Sequence, residues 1–448
     1  MTSPLQNTIS RFAKKHLGGA LKREMLKGVV GSVFVKLLTI TATLLASVLL
    51  ARILGAKGYG EYSFAMTLAA PLVMFSQLGM PMLIVRETAK NHQSQNWGEM
   101  LGLWQWTSNI ALKLAVPLCT AAFGLAYLLS ESNNGPIGTA LMWALLAVPA
   151  VILLNLKAAA LKGLRRVVLS LFIDTFLPKI ILILFLLIAL TPAGAATLTA
   201  DSAARLYFIS MVIALLLGWA LFKKSEPFSR AARPKPVFQS GVWVAAAMPL
   251  AFLVAVRAAN QHVAVLSMGA FSDAESIGIY RAAAQLATNV SMGIGIVNMV
   301  ALPYFARFHA AGDIVRLQKL AKYCARTSLA IAVPLALFLF LFGEPVLKKL
   351  FGQEFGAGYV VLTILILAQV ANAGFGPVAA LLNMTGHARE TVKGVATATT
   401  LNIVMCLILV PFLGMLGAAI GVGLALVLWN FLLWRSVRDK LSVNCAAL

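Results

Sequence analysis

Twelve apolar runs, each long enough to cross a lipid bilayer, constrain this chain more than any other feature of its sequence. They centre on residues 29–51, 62–84, 104–129, 138–156, 168–190, 204–222, 242–268, 277–303, 326–347, 357–382, 395–412 and 414–434. A hydrocarbon core takes about 20 residues of α-helix at roughly 1.5 Å rise each. The runs are too long for barrel strands and do not alternate apolar with polar, which excludes a β-barrel. With 60% of its 448 residues hydrophobic and 12% charged, the chain lacks the polar surface a soluble globule of this length would need. The expected class is an all-α integral membrane protein with about twelve transmembrane helices.

The net charge of +22 is the next constraint. A balance so basic could suit nucleic acid, but its distribution along the chain does not. Of the 37 Lys and Arg, 27 fall in alternate connections and at the two ends, 5 in the intervening connections and 5 inside spans. That alternation is the positive-inside pattern and places both termini in the cytoplasm. Before the first span, Leu5, Ile9, Phe12 and Leu21 recur at helical spacing among Arg11, Lys14, Lys15, Lys22 and Arg23. Residues 1–28 therefore read as a basic amphipathic leader on an anionic membrane face. The cysteines, Cys119, Cys324, Cys406 and Cys445, have no metal-ligand or disulfide spacing and read as small apolar residues.

The halves resemble each other at an offset near 220. Gly60-Glu-Tyr62 matches Gly278-Ile-Tyr280, and Pro81 with Arg86 matches Pro303 with Arg307. Ala115-Val-Pro-Leu118 recurs as Ala332-Val-Pro-Leu335. Six spans per half is an even number, so the repeats share one orientation and are related by an axis along the membrane normal, with a cavity between two lobes. The expected organisation is an N-lobe over 29–222, a cytoplasmic linker over 223–241, a C-lobe over 242–434 and a tail over 435–448. The linker is rich in Lys, Arg and Pro and is expected to let the lobes rock.

Ionisable residues inside spans are costly and mark a pathway by default. Counted from the span starts, Lys36 lies about 10 Å in, Lys113 about 14 Å, Lys179 about 16 Å and Arg257 about 22 Å. Arg281 lies only about 6 Å from the outer end, within snorkelling reach. Lys36 shares a stripe with Ser32, Thr39, Thr43 and Ser47; Arg257 shares one with Asn260 and Gln261, beside His262; Arg281 shares one with Gln285, Thr288 and Asn289. Against this stand plainer readings. Ser and Thr in such helices commonly bond their own backbone, His262 can be tied within the lobe interface, and Asp174, the one clear acid, can pair with Lys179 or a loop arginine. A wet cavity of cations favours an anionic ligand, with phosphate oxygens suiting Arg forks and Lys point charges. Lys36, Arg257 and Arg281 with Asn260, Gln261 and Gln285 are the candidate anion-binding set. Lys113, Lys179, Asp174, His262 and Arg86 are candidates for the pathway or for coupling. Nothing resembles a nucleotide-binding phosphate loop, and no metal or other cofactor is expected.

The stretch Leu50-Ala-Arg-Ile-Leu-Gly-Ala-Lys-Gly-Tyr-Gly-Glu-Tyr62, followed by Leu78-Gly-Met-Pro81 and Val85-Arg-Glu-Thr-Ala89, resembles the start of Wzx-type bacterial polysaccharide transporters. These belong to the multidrug/oligosaccharidyl-lipid/polysaccharide (MOP) superfamily. The resemblance implies a MATE-like fold of two six-helix lobes in the bacterial inner membrane. It implies transfer of undecaprenyl-diphosphate-linked oligosaccharide to the periplasmic leaflet for O-antigen or exopolysaccharide synthesis, alongside a polymerase and glycosyltransferases. From the family pattern only Arg86-Glu87 carries over. The driving force is open among H+, Na+ and the membrane potential. The rivals are a multidrug antiporter of the same fold, which should place acids in its cavity, and a membrane-embedded glycosyltransferase or polymerase, which should carry a large loop outside the spans. A third rival, a non-transporting scaffold, leaves the buried cations without a purpose.

Overall fold

The protein was analysed as a computed structural model that describes residues 19–132, 135–190, 198–228 and 234–447. Most of the leader expected over 1–28, including the amphipathic positions up to Leu17, lies outside the described residues. The helices are α1 Gly19–Gln77, α2 Met80–Gln93, α3 Trp97–Ser132, α4 Gly135–Gly163 and α5 Val167–Leu171, which passes through a π turn, Phe172–Phe176, into α6 Leu177–Ala189. Then come α7 Ala200–Lys223, α8 Ser240–Phe271, α9 Ala274–Val290, α10 Met292–Ala310, α11 Ile314–Leu350, α12 Tyr359–Phe375, α13 Val378–Met384, α14 Ala388–Leu413 and α15 Met415–Leu441.

In lipid every backbone N–H and C=O must be paired within its own segment, and the helices do this. Among the described residues, 8 helices are long and apolar enough to cross a bilayer. The first serves for two crossings, because Gly55 (φ 67, ψ 179) turns α1 back on itself. With α3, α8 and the broken pair α9–α10, the path makes the twelve traverses read from the sequence. Positive φ at Leu78 and Gly79 separates α1 from α2 inside the second span, and Gly376 (φ 76) separates α12 from α13 inside the tenth.

The helices run further than the apolar runs. The ninth span, expected at 326–347, is helical over Ile314–Leu350. Helical hydrogen bonding continues into water where caps and local ion pairs support it. Asp313 caps α11 through the Arg316 amide and pairs with the Arg316 guanidinium at 3.3 Å.

One apolar core joins the two halves at the end that carries Gly55. It contains Tyr59, Tyr62 and Ala65 from the N-lobe with Val265, Tyr280 and Leu362 from the C-lobe. At the opposite end, where the basic connections lie, the cores separate. One holds Met100, Trp104 and Phe222 of the N-lobe, and another Phe305, Cys324 and Val437 of the C-lobe. There α8 bridges the halves, packing Trp243 and Ala247 against Leu83 and Leu103. The molecule is therefore sealed at its Gly55 end and divided at its basic end.

The segment between the lobes is anchored to α3. The Val237 amide donates to the Gly98 carbonyl at 2.9 Å, and Gln239 donates to Glu99 at 2.8 Å. Gly102 makes room: a Cβ there would sit 2.0 Å from the Val237 oxygen. The residues after α15 tuck under the C-lobe in a comparable way, with Cys445 fully buried and the Ala447 amide on the Gly374 carbonyl. Burial pushes the Cys445 thiol up to about 12, so it is an apolar filler at neutral pH.

Candidate functional site

The seal at the Gly55 end is built from the internal repeat. A Cβ on Gly60 would lie 1.6 Å from the Ala274 oxygen, and a Cβ on Gly278 would lie 2.1 Å from the Ala56 oxygen. The two glycines and the two alanines occupy matching repeat positions, so α1 and α9 cross backbone to backbone at the pseudo-twofold axis. Small residues are what allow membrane helices to approach so closely. Valine at Gly60 should therefore pry the crossing apart and lower the melting temperature of the detergent-solubilised protein by several degrees. An unchanged Tm, read by intrinsic fluorescence, would contradict a tight crossing.

Charged side chains clasp the same end. Arg52 donates through Nε to the Leu350 carbonyl at 2.7 Å and through its terminal nitrogen to the Lys349 carbonyl, the last carbonyls of α11. In return Glu354 of the C-lobe accepts the Ala56 amide at 2.9 Å. It thus caps the helix that restarts after Gly55, where an N-terminal amide has no partner in its own helix. Beside α9, the Ser276 hydroxyl holds the Asp273 carboxyl below its usual range by donating to it at 2.6 Å.

Below this seal the intramembrane cations meet. Arg281, one turn along from Gly278, is the charge that acts on Lys179 of the N-lobe and on His262 of α8. Tyr62 and Tyr280, both buried, also lie in its field. The Nδ1 of His262 is buried and has no hydrogen-bond partner among the described residues. Gln285 stands one turn further from the seal on the Arg281 face, half-buried. Two cations from opposite lobes therefore stand within each other's electrostatic reach on the membrane side of the seal, and neither makes an ion pair among the described residues. Such an arrangement attracts an anion and disfavours a cation.

The other sequence candidates fall elsewhere. Asn260 is engaged within the C-lobe, its Oδ1 accepting from Asn402 at 2.9 Å, while Gln261 is exposed. Lys36 is exposed on α1, one turn toward the basic end from Thr39. Thr39 and Thr43 donate to the carbonyls of Val35 and Thr39, the plainer reading of that stripe. Lys113 is exposed on α3, on the side away from the buried Ala111 and Ala115. Arg86 bonds its neighbour Glu87 at 2.9 Å on the basic end, a local surface pair. Arg257 lies within α8, but its side chain is outside the described residues.

Asp174 pairs with Lys162 at 3.5 Å rather than with Lys179 or a loop arginine. It sits in the π turn, a wide turn that re-aims side chains and is frequent at functional sites. Thr175, next to it, meets Thr39 of α1 at 3.3 Å. Beside the pair, α2, α4 and the π turn enclose a crevice of about 510 Å3. Sequence reading did not single out Asn155, Lys162, Arg52 or Glu354 as site residues. Tyr62 and Tyr280 were visible as repeat matches, and these equivalent positions share the core that joins the halves.

Comparison with known proteins bears on this geometry. The sequence profile described as polysaccharide biosynthesis protein matches residues 25–309. An inward-facing structure of a multidrug resistance MATE family transporter of the MOP superfamily superposes with a TM-score of 0.74 at 13% identity, covering 92% of this chain and 98% of the other. Lipid II flippase MurJ in an inward closed conformation superposes at 0.71 with 14% identity, covering 91% and 87%. An outward-facing MATE family transporter superposes at 0.63 with 13% identity, covering 93% and 95%. These likenesses establish the MOP fold, as the sequence led us to expect. No curated protein sequence matches the chain.

Proposed function

Because this chain belongs to the polysaccharide biosynthesis protein family, we propose that it is a flippase for an undecaprenyl-diphosphate-linked oligosaccharide. It carries that lipid from the cytoplasmic to the periplasmic leaflet of the bacterial inner membrane by alternating access between the lobes. What supports this reading is that Lys179 and Arg281, one from each lobe, lie within each other's electrostatic reach beneath the seal. The basic end faces the cytoplasm by the positive-inside rule, so the captured state is open to the leaflet where such lipids are assembled. The diphosphate reaches the two cations past Lys36, while the isoprenoid tail stays in lipid through the gap between the lobes.

No covalent step is required; the barrier is desolvation of a charged, hydroxylated headgroup. The membrane potential favours export of an anion from an inside-negative cell by about 2.3 kcal/mol per charge per 100 mV. Should an ion be exchanged in return, Asp174 and His262 are the groups to carry it, and imposed H+ or Na+ gradients at zero potential test them. The released lipid would pass to a polymerase on the far side.

Vesicles reconstituted with the protein and a fluorescent undecaprenyl-diphosphate oligosaccharide test the reading. Transfer between leaflets should exceed that of protein-free vesicles and accelerate under an inside-negative potential. Transfer no faster than in empty vesicles would sink the proposal. The MATE likeness supports a second reading, multidrug antiport. The paired cations oppose it for cationic drugs, and ethidium efflux from the same vesicles should stay at background.

A further inference from the structure

The flippase reading leaves the crevice beside the π turn without a use, and its chemistry differs from that of the cation site. The α2 wall is apolar, formed by Pro81, Met82 and Val85; the wall from α4 and the π turn carries Asn155, Lys162 and Asp174 around Ala159. One cation and one anion leave the crevice neutral overall, so it repels neither a neutral ring nor, strongly, either ion. Its polar capacity is mostly unspent. Among the described residues Asp174 accepts only from Lys162, over a long 3.5 Å contact, although a carboxylate has about four lone-pair sites. The Lys162 ammonium retains two further donors, and the Asn155 amide has no hydrogen-bond partner among the described residues. Donors and acceptors facing an apolar strip match a hydroxylated ring, whose edge bears O–H groups and whose face bears C–H groups. At about 510 Å3 the crevice falls within the range of small-molecule sites, roughly 300–1,000 Å3.

Its position supplies the second argument. Asp174 and Lys179 stand on one span, five residues apart, which is a rise of about 7.5 Å. In a regular α-helix that spacing would leave the two side chains well apart around the axis. The wide turn at Phe172–Phe176 lessens the offset, drawing Asp174 toward the face of Lys179. The Thr39–Thr175 contact fixes the turn against α1. Along its span the Asp174 end of the crevice thus stands about 7.5 Å to the basic-end side of Lys179, roughly the reach of a ring bonded directly to a diphosphate held there.

Resting on the flippase reading, we propose that Asn155, Lys162 and Asp174 form a subsite for the sugar ring attached to the diphosphate, and that these residues set which first sugar the protein accepts.

The test measures binding to the full chain in lipid nanodiscs, with four probes. These are undecaprenyl diphosphate alone and the same lipid bearing one glucose, one galactose or one N-acetylglucosamine. At least one sugar-bearing lipid should bind roughly tenfold tighter than the bare lipid, the increment expected of one or two added hydrogen bonds. Asn155→Ala and Asn155→Leu should erase that increment while leaving the bare-lipid Kd within about twofold. Met82→Trp, at a site half exposed on the rim, should do the same by filling the crevice without touching its polar groups. The subsite is overturned if native protein holds no sugar-bearing lipid tighter than the bare one, or if the three variants weaken all four probes alike. Failure of the native protein to bind any probe would instead strike the flippase reading itself.

Discussion

Alanine at both Lys179 and Arg281 is expected to slow lipid translocation in vesicles by at least about a hundredfold, because each removes one charge-assisted contact to the diphosphate worth roughly 1.5–3 kcal/mol. The protein should still insert and purify, since neither side chain makes an ion pair among the described residues. The swap Lys179→Arg with Arg281→Lys keeps both charges and should recover most of the rate, separating electrostatics from shape. Translocation by the double alanine variant within tenfold of native would show that the anion is held elsewhere. The effect should also depend on the lobes: either single alanine leaves one cation facing the ligand, so singles should be milder than the pair by more than an additive estimate gives.

The second large effect concerns the clasp at the Gly55 end. Arg52→Ala with Glu354→Ala removes three hydrogen bonds between the lobes and uncaps the helix that restarts at Ala56. Both residues are exposed, so each contact contributes modestly. Together they should still move the balance toward opening at that end by about tenfold. Double electron–electron resonance between spin labels on the two lobes at the Gly55 end should then show a longer distance gaining population. Glu354→Gln keeps an oxygen able to accept the Ala56 amide and should shift the balance less than Glu354→Ala. Identical distance distributions in native and double-alanine protein would mean the backbone crossing at Gly60 and Gly278 suffices to hold the end shut.

The spans and their number were legible because hydrocarbon imposes a minimum apolar length that few other constraints imitate. The repeat was legible too, and its matched Gly60 and Gly278 proved to be the residues that touch. The interruptions at Leu78–Gly79, Ser291 and Gly376 were not, since composition inside an apolar run says nothing of backbone φ. The cations could be placed by depth but not by direction. Only the fold brings Lys179 within the field of Arg281 while leaving Lys113 exposed on α3. The Asn260 stripe looked solvent-facing until Asn402, 142 residues away, was seen to bond it. The clasp joins positions 298 residues apart at Arg52 and Leu350, a pairing no local pattern encodes.

The strap between the lobes has a mechanical consequence. Val237 and Gln239 are pinned to α3, and the chain passes from that anchor directly into α8, where Gly241 is the first glycine with open space around it. Trp243 packs at a tilt against Trp106 of the N-lobe, whereas Asn260, further along the same helix, is bonded into the C-lobe. When one half tilts against the other, α8 is gripped at both stations and behaves as a torsion bar, so the swing is absorbed by flexure between residues 243 and 260 rather than by a slack tether.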